Sequence, residues 1–340
     1  MKTEREIAFL LLRSALGGQA PGLGTEPIET SMWWSLFRLM QVNHVAAMTA
    51  DTVAALDVSR EVKVPWLAER DKAARWHRYQ TEVQQNIVSH MERHGIETLV
   101  LKGTHLAQYY PVPELREFGD LDLYFFDRHS QADQVAREEL KVAVGNEAHH
   151  HSKYNYRGVT VESHYDFLNT HYPPSNRRYE ALLKETCPTA TFEVLFLLRH
   201  MACHFAAARI TLRDLTDWVL TCSALKESVD WGRVHDVATE YGMVPFVSAL
   251  NDIAEWHLGY MSPLRFTHDS DAVEAMERDI VYGSVDDKEG DGMERLGWKL
   301  RRWRSLAWKR RMVYNDGTAS LLLSSLTSHA LKPHSIMHKM

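Results

Sequence analysis

A chain of 340 residues, 45% hydrophobic and 25% charged, has the make-up of a globular protein with length for two or three packing units. A core of that size needs no disulfide staples, and a net charge of −6 gives no global affinity for polyanions. Three widely spaced cysteines, Cys187, Cys203 and Cys222, read as buried reduced thiols. The opening from Met1 to Glu6 is charged and leads into a short apolar run, so no secretory leader is expected. No run approaches the eighteen or so apolar residues of a membrane span, and the expected location is the cytoplasm.

Residues 1–95 read as an N-terminal helical region. Glu4 to Leu16 is amphipathic, and Gly17 to Pro27 is a loop. Ser31 is placed to cap a helix running through Trp33, Trp34, Leu36, Leu39 and Met40 to Val45. Pro65 fits the first turn of a third helix reaching about His94, where Gly95 stops it. This third of the chain reads as packing scaffold.

Residues 96–170 change to an α/β core. Ile96 to Leu101 is an apolar strand, Thr104 to Tyr110 a short helix ended by Pro111 and Pro113, and Leu121 to Phe126 a second strand. His129 to Val144 has helical period, with Ala132, Val135, Ala136 and Leu140 inward. Tyr154 to Gly158 is a short strand into a turn, and Val159 to Tyr165 alternates as a half-buried strand.

Residues 171–340 form a C-terminal helical region. Thr191 is expected to cap Phe192–Phe205 and Thr211 to cap Leu212–Leu225, with further helices over Trp231–Tyr241, Val244–Leu258 and Ala272–Tyr282. A Gly/Asp-rich break, Gly283 to Gly292, precedes a basic segment at 293–312. The fold class is α+β: a small mixed sheet with helices, flanked by helical regions on both sides in sequence.

The chemistry concentrates between Ile96 and Phe126. Strand side chains alternate, so Asp120, Asp122 and Tyr124 share one face while Leu121, Leu123 and Phe125 share the other. Two carboxylates on one face of a short strand repel unless a cation sits between them. Mg2+, which takes oxygen ligands and substrate phosphates, suits them, with Mn2+ as a substitute. Thr160, Glu162 and His164 share the polar face of the later strand, so Glu162 supplies a third carboxylate if the two strands are neighbours. Three such acids can hold two cations around a triphosphate. Gly103-Thr104, at a strand-to-helix junction, lets backbone N–H groups approach phosphate oxygens, and Lys102 and Arg116 are expected to add cationic contacts.

In this order, Lys102-Gly103-Thr104, Arg116-Glu117-Phe118-Gly119-Asp120-Leu121-Asp122 and Val161-Glu162-Ser163-His164 resemble the uncharacterised nucleotidyltransferases. These belong to the superfamily that includes DNA polymerase beta and the aminoglycoside nucleotidyltransferases. Arg213-Asp214-Leu215-Thr216-Asp217 matches the family's downstream Arg-x-x-x-Asp helix, and the resemblance covers roughly residues 30–260. It implies a minimal mixed sheet, Asp120, Asp122 and Glu162 as metal ligands and catalytic acids, and Gly103 and Thr104 shaping a triphosphate loop. Two details depart from the wider superfamily: Gly-Thr replaces Gly-Ser or Gly-Gly, and the third acid is Glu where Asp is more usual. The implied reaction moves a nucleoside monophosphate from a nucleoside triphosphate to an acceptor hydroxyl. Small-molecule or protein acceptors are favoured over nucleic acid. The alternatives are a non-catalytic nucleotide- or partner-binding module on this fold, or a nucleic-acid-acting transferase.

Three further features have plainer readings. His200 and His204 lie four apart on a helix, but Met201 stands where a zinc protease would carry its Glu, so they read as polar helix residues beside the active-site cleft. His149-His150-His151 reads as a solvated loop near the site, with Lys153 beyond it in reach of a phosphate. The basic segment holds eight Lys/Arg against one acid, Glu294, with Trp298, Trp303 and Trp308 five apart. That spacing reads as tryptophans packed on the domain with basic stems snorkelling outward.

Overall fold

The computed structural model describes residues 2–145, 150–267, 269–283, 298 and 301–331. Its helices are α1 (Glu4–Gly17), α2 (Thr30–Val42), α3 (Ala46–Ala55), α4 (Arg60–Arg93), α5 (Thr104–Ala107), α6 (His129–Glu138), α7 (Asn176–Thr186), α8 (Ala190–Ala207), α9 (Leu212–Ala224), α10 (Trp231–Glu240), α11 (Val244–Ile253) and α12 (Ser270–Tyr282). Helices Ala307–Val313 and Thr318–Leu331 follow. The strands are β1 (Leu99–Val100), β2 (Asp120–Tyr124), β3 (His151–Tyr156) and β4 (Val159–His164). The fold is α+β, with one small mixed sheet and helices before and after it in the chain. No described helix is long and apolar enough to cross a membrane.

Backbone contacts divide the chain into two units, Met1–Glu69 with Pro188–Asn315 and Arg70–Cys187 with Asp316–Met340; the first division falls within α4. The second unit holds the sheet, ordered β1-β2-β4-β3. β1 pairs antiparallel with β2, β2 parallel with β4, and β4 antiparallel with β3. The parallel step is possible because α6 and β3 lie between β2 and β4 in the chain, giving the length a crossover needs. Leu121 and Leu123 of β2, Phe125 just after it, and Val159 and Val161 of β4 pack with Val83, Ile87 and Met91 of α4 and Ala132, Val135 and Ala136 of α6. Val83, Ile87 and Met91 recur every four residues, so one stripe of α4 covers the sheet. Each such side chain contributes about 1.5–3 kcal/mol when fully buried, which fixes both strands' parity. A one-residue slip in either would drive its acids into this core.

The first unit is helical. The helix expected through Val45 ends at Val42, because Asn43 turns the chain. Its amide donates to the carbonyls of Leu39 and Val281, both at 2.9 Å, and its side-chain oxygen accepts from the Leu212 N–H at 3.2 Å. Pro65 lies inside α4 rather than in its first turn, since the helix starts at Arg60. The cap of α8 is Thr189, whose hydroxyl accepts from the Phe192 N–H at 3.1 Å, two residues before the expected Thr191. Thr211 caps α9 as expected, in a reciprocal box with Asp214.

The basic segment corrects one expectation. Residues 293–297 and 299–300 of it lie outside the described residues. Trp308 packs edge-on against Phe205, as expected of a packing tryptophan. Lys309 and Arg310, however, point inward. Lys309 is 0% exposed, with its ammonium 2.6 Å from Asp279 Oδ2 and donating to the Ala208 carbonyl, and Arg310 stacks 4.3 Å from the Trp303 ring centroid. Burial holds the Lys309 pKa below its ordinary value, against the pull of Asp279. Removing one partner of a buried ion pair leaves an uncompensated charge, whereas replacing both by apolar groups can be neutral. Lys309→Met is therefore expected to cost about 3–5 kcal/mol in urea unfolding, and Lys309→Met with Asp279→Leu to recover most of that loss.

Candidate functional site

The loop before β2 is built by three local constraints. The Leu101 N–H donates to the Asp122 carbonyl at 3.0 Å, extending the β1–β2 pairing by one residue and bringing Lys102 alongside Asp122. Gly103 has φ +55° and ψ −117°, a backbone region that side chains rarely adopt, and an added Cβ would lie 3.4 Å from the Phe118 ring. Arg116 then fastens the turn: it is buried, donates to the Gly103 carbonyl at 3.0 Å, and lies 5.9 Å from each of the Tyr110 and Phe118 ring centroids. Its placement is that of a loop-holding residue, whereas a phosphate contact was expected. Thr104 donates its hydroxyl to Gln84 of α4 at 2.6 Å. The helix it opens is only four residues long, not the seven expected, so its dipole is slight. Phosphate binding at this loop would rest on backbone N–H groups and Lys102.

On the polar face of the sheet, register sets the side chains in rows. Asp122 pairs with Glu162 across the parallel step, and Glu162 pairs with Lys153 across β3–β4. The next row runs from Tyr124 to His164 to His151. Glu162 is thus directly beside Asp122, the neighbourhood the sequence reading required of it.

Asp122 is 2% exposed; the Lys102 ammonium compensates its charge from 3.1 Å, and His164 Nε2 lies 3.2 Å away, both on Oδ1. His164 Nδ1 lies 3.3 Å from the Asp166 carbonyl, and Nε2 faces the acids. Glu162 reaches His164 Nε2 at 3.8 Å with Oε2, and Lys153 Nζ at 3.2 Å and His151 Nε2 at 3.5 Å with Oε1. Burial, then Asp122 and Asp120, push the Glu162 carboxyl above its ordinary pKa. Burial works against the charge on Lys102, but Asp122, Asp120 and Glu162 outweigh it and raise that ammonium's pKa.

The His149–His151 expectation fails in part. His149 lies outside the described residues. His151 is not in a solvated loop; it opens β3, buried beside His164. Burial, then His164, bring His151 down to about 3, and burial with His164 and His151 holds His150 well below its ordinary value. Both are neutral near pH 7. Lys153, expected near a phosphate, is engaged by Glu162.

Among the described residues, two groups can hold a cation: Asp122, Glu162 and His164, and His150, His151 and His164, each offering donor atoms within 4.8 Å of one another. Asp120 is in neither. The first group fits a divalent cation, with two carboxylates and one imidazole. A nitrogen donor suits Mn2+ better than Mg2+. His164 carried no assigned role in the sequence reading, although its spacing from Glu162 places both on one strand face. His200 and His204 lie side by side on α8, ring centroids 4.4 Å apart, and belong to neither group.

No curated protein and no solved structure matches the chain. A family model described as an uncharacterised nucleotidyltransferase matches residues 29–259, more than half of the chain, and spans the loop, β2 and β4. Asp122 and Glu162 in register beside a glycine loop that carries Lys102 are the features this match covers, and the chain belongs to that uncharacterised nucleotidyltransferase family.

Proposed function

We propose that the chain transfers a nucleoside monophosphate from a nucleoside triphosphate to an acceptor hydroxyl, releasing pyrophosphate. The observation that carries this reading is the pairing of Asp122 with Glu162 on parallel strands, with Lys102 on the same carboxylate. Asp122, Glu162 and His164 would hold a divalent cation, with Asp120 at the open end of β2 available to the substrate side. Such a cation supplies charge neutralisation on the phosphates and acidifies a bound hydroxyl. The acceptor oxygen forms its bond to the α-phosphorus as the bond to the β-phosphate bridge breaks, and the acceptor's proton passes to Glu162. Lys102 and the backbone at Gly103-Thr104 would face the leaving pyrophosphate. Gly103 keeps the backbone open to oxygen atoms, and Arg116 holds the turn.

The acceptor favoured is a small molecule or a protein. In the basic segment, Lys309 and Arg310 are buried, which removes them from a nucleic-acid surface. A non-catalytic module is the remaining reading. Lys102 and Lys153 already neutralise Asp122 and Glu162 from within, as a binding fold without turnover would also require.

Incubation with labelled triphosphates, Mn2+ or Mg2+ and candidate acceptors is expected to release pyrophosphate and label the acceptor. Chelation should stop the reaction, and Mn2+ should restore it at lower concentration than Mg2+. Asp122→Asn is expected to lower turnover on the order of 100-fold or more; unchanged turnover in Asp120→Asn/Asp122→Asn would overturn the assignment. Tight triphosphate binding by calorimetry with no pyrophosphate release would favour the binding module. Gly103→Ala strains the turn that presents the loop, so it should raise KM for the triphosphate and lower the melting temperature by a few degrees, in line with about 1–3 kcal/mol of backbone strain.

A further inference from the structure

The second cluster on the sheet face shares only His164 with that reaction. His151 and His164 are directly opposite in the antiparallel β3–β4 ladder, so their side chains leave the same face. His150 is fixed beside them because its carbonyl accepts the N–H groups of Tyr165 and Asp166 at 3.0 and 3.2 Å, pinning it to the end of β4. The ring centroids of His150 and His151 are 4.5 Å apart, those of His151 and His164 5.1 Å, and those of His150 and His164 5.4 Å. A ligand nitrogen of each ring lies within 4.8 Å of the other two.

His151 is 9% exposed, and its Nδ1 and that of His150 are buried without a hydrogen-bond partner. A buried polar atom left unsatisfied costs about 1–3 kcal/mol, and two in adjacent residues need an account. Three converging imidazoles give one. A cation that takes nitrogen lone pairs satisfies such atoms and draws the rings to a common centre, while Glu162 Oε1, 3.5 Å from His151 Nε2, supplies negative charge beside it. Borderline metals prefer imidazole, and Mg2+ does not.

We propose that His150, His151 and His164 form a transition-metal site that takes a divalent cation of the zinc or cobalt type, separate from the carboxylate pair and sharing His164 with it. The site does not require nucleotidyl transfer; it requires three imidazoles held in place by the β3–β4 ladder. Occupancy draws on His164, so metal bound here is felt at Asp122.

The test uses the full chain without a histidine tag, stripped of metal and titrated with Co2+ or Zn2+ in the absence of nucleotide. The expected result is Co2+ binding with the visible absorption of nitrogen coordination, displaced by Zn2+. His150→Gln/His151→Gln should weaken that binding at least about tenfold. Asp120→Asn, outside both groups, should leave it unchanged whatever its effect on transfer, which separates this site from the transfer reading. Wild-type chain labelled with 15N-histidine gives a measurement free of folding effects: Zn2+ should shift three imidazole spin systems together. Equal Zn2+ affinity in the wild type and the double variant, or a Zn2+ response confined to His164, would overturn the proposal.

Discussion

Asp122 carries a carboxylate deep in the sheet, and a charge in that position has to be compensated within hydrogen-bond distance or given up to a proton. Lys102 compensates it, and His164 Nε2 lies on the same oxygen. Each partner has its own requirement. Lys102 reaches Asp122 only because β1 continues its pairing through Leu101, and the chain can leave that pairing only through a glycine with positive φ. The turn so formed exposes the Gly103 carbonyl inward, where Arg116 satisfies it. His164 reaches Asp122 only because β4 lies parallel and in register beside β2. The loop, the buried arginine and the strand order are thus consequences of holding one buried carboxylate.

The faces of β2 and β4 were legible in the sequence because Leu121, Leu123, Val159 and Val161 alternate with polar residues, and a period of two allows only two assignments. Neighbouring of the two strands was not legible. It is a non-local pairing across α6 and β3, and nothing in Asp122 or Glu162 specifies it. β3 was placed three residues late for a related reason. His151-Ser152-Lys153 has little intrinsic strand character, and it is strand only because β4 offers a partner edge. The consequence was chemical: a histidine read as loop sits opposite His164. Lys309 is a similar case, since its partner Asp279 is thirty positions away and a basic run viewed alone has no reason to turn inward. Helix starts erred where backbone geometry, not residue type, decides, as at Arg60 before Pro65 and Thr189 before Thr191.

The sheet divides its labour by face. One face carries the apolar side chains of β2 and β4 and fixes register; the other carries the acids, lysines and histidines that depend on that register. Such a division lets the polar rows be costly in themselves. Unpartnered imidazole nitrogens and adjacent carboxylates oppose folding by a few kcal/mol, and the core of Leu121, Leu123, Val159 and Val161 against α4 and α6 offsets them without touching them.

The polar rows share their members. Glu162 turns Oε1 to Lys153 and His151 and Oε2 to His164, and His164 in turn lies between Asp122 and His151. A cation on the carboxylate side would compete with Lys102 for Asp122 Oδ1, and the displaced ammonium sits one residue before the loop where phosphate would enter. A cation on the imidazole side would compete for His164 and weaken the hold on Asp122. Two dications so close repel strongly at any interior dielectric unless an anion lies between them, and Glu162 is the anion in that position. Glu162 therefore sets whether the two sites fill together or in turn, because it is the only residue of the two rows with an oxygen directed to each.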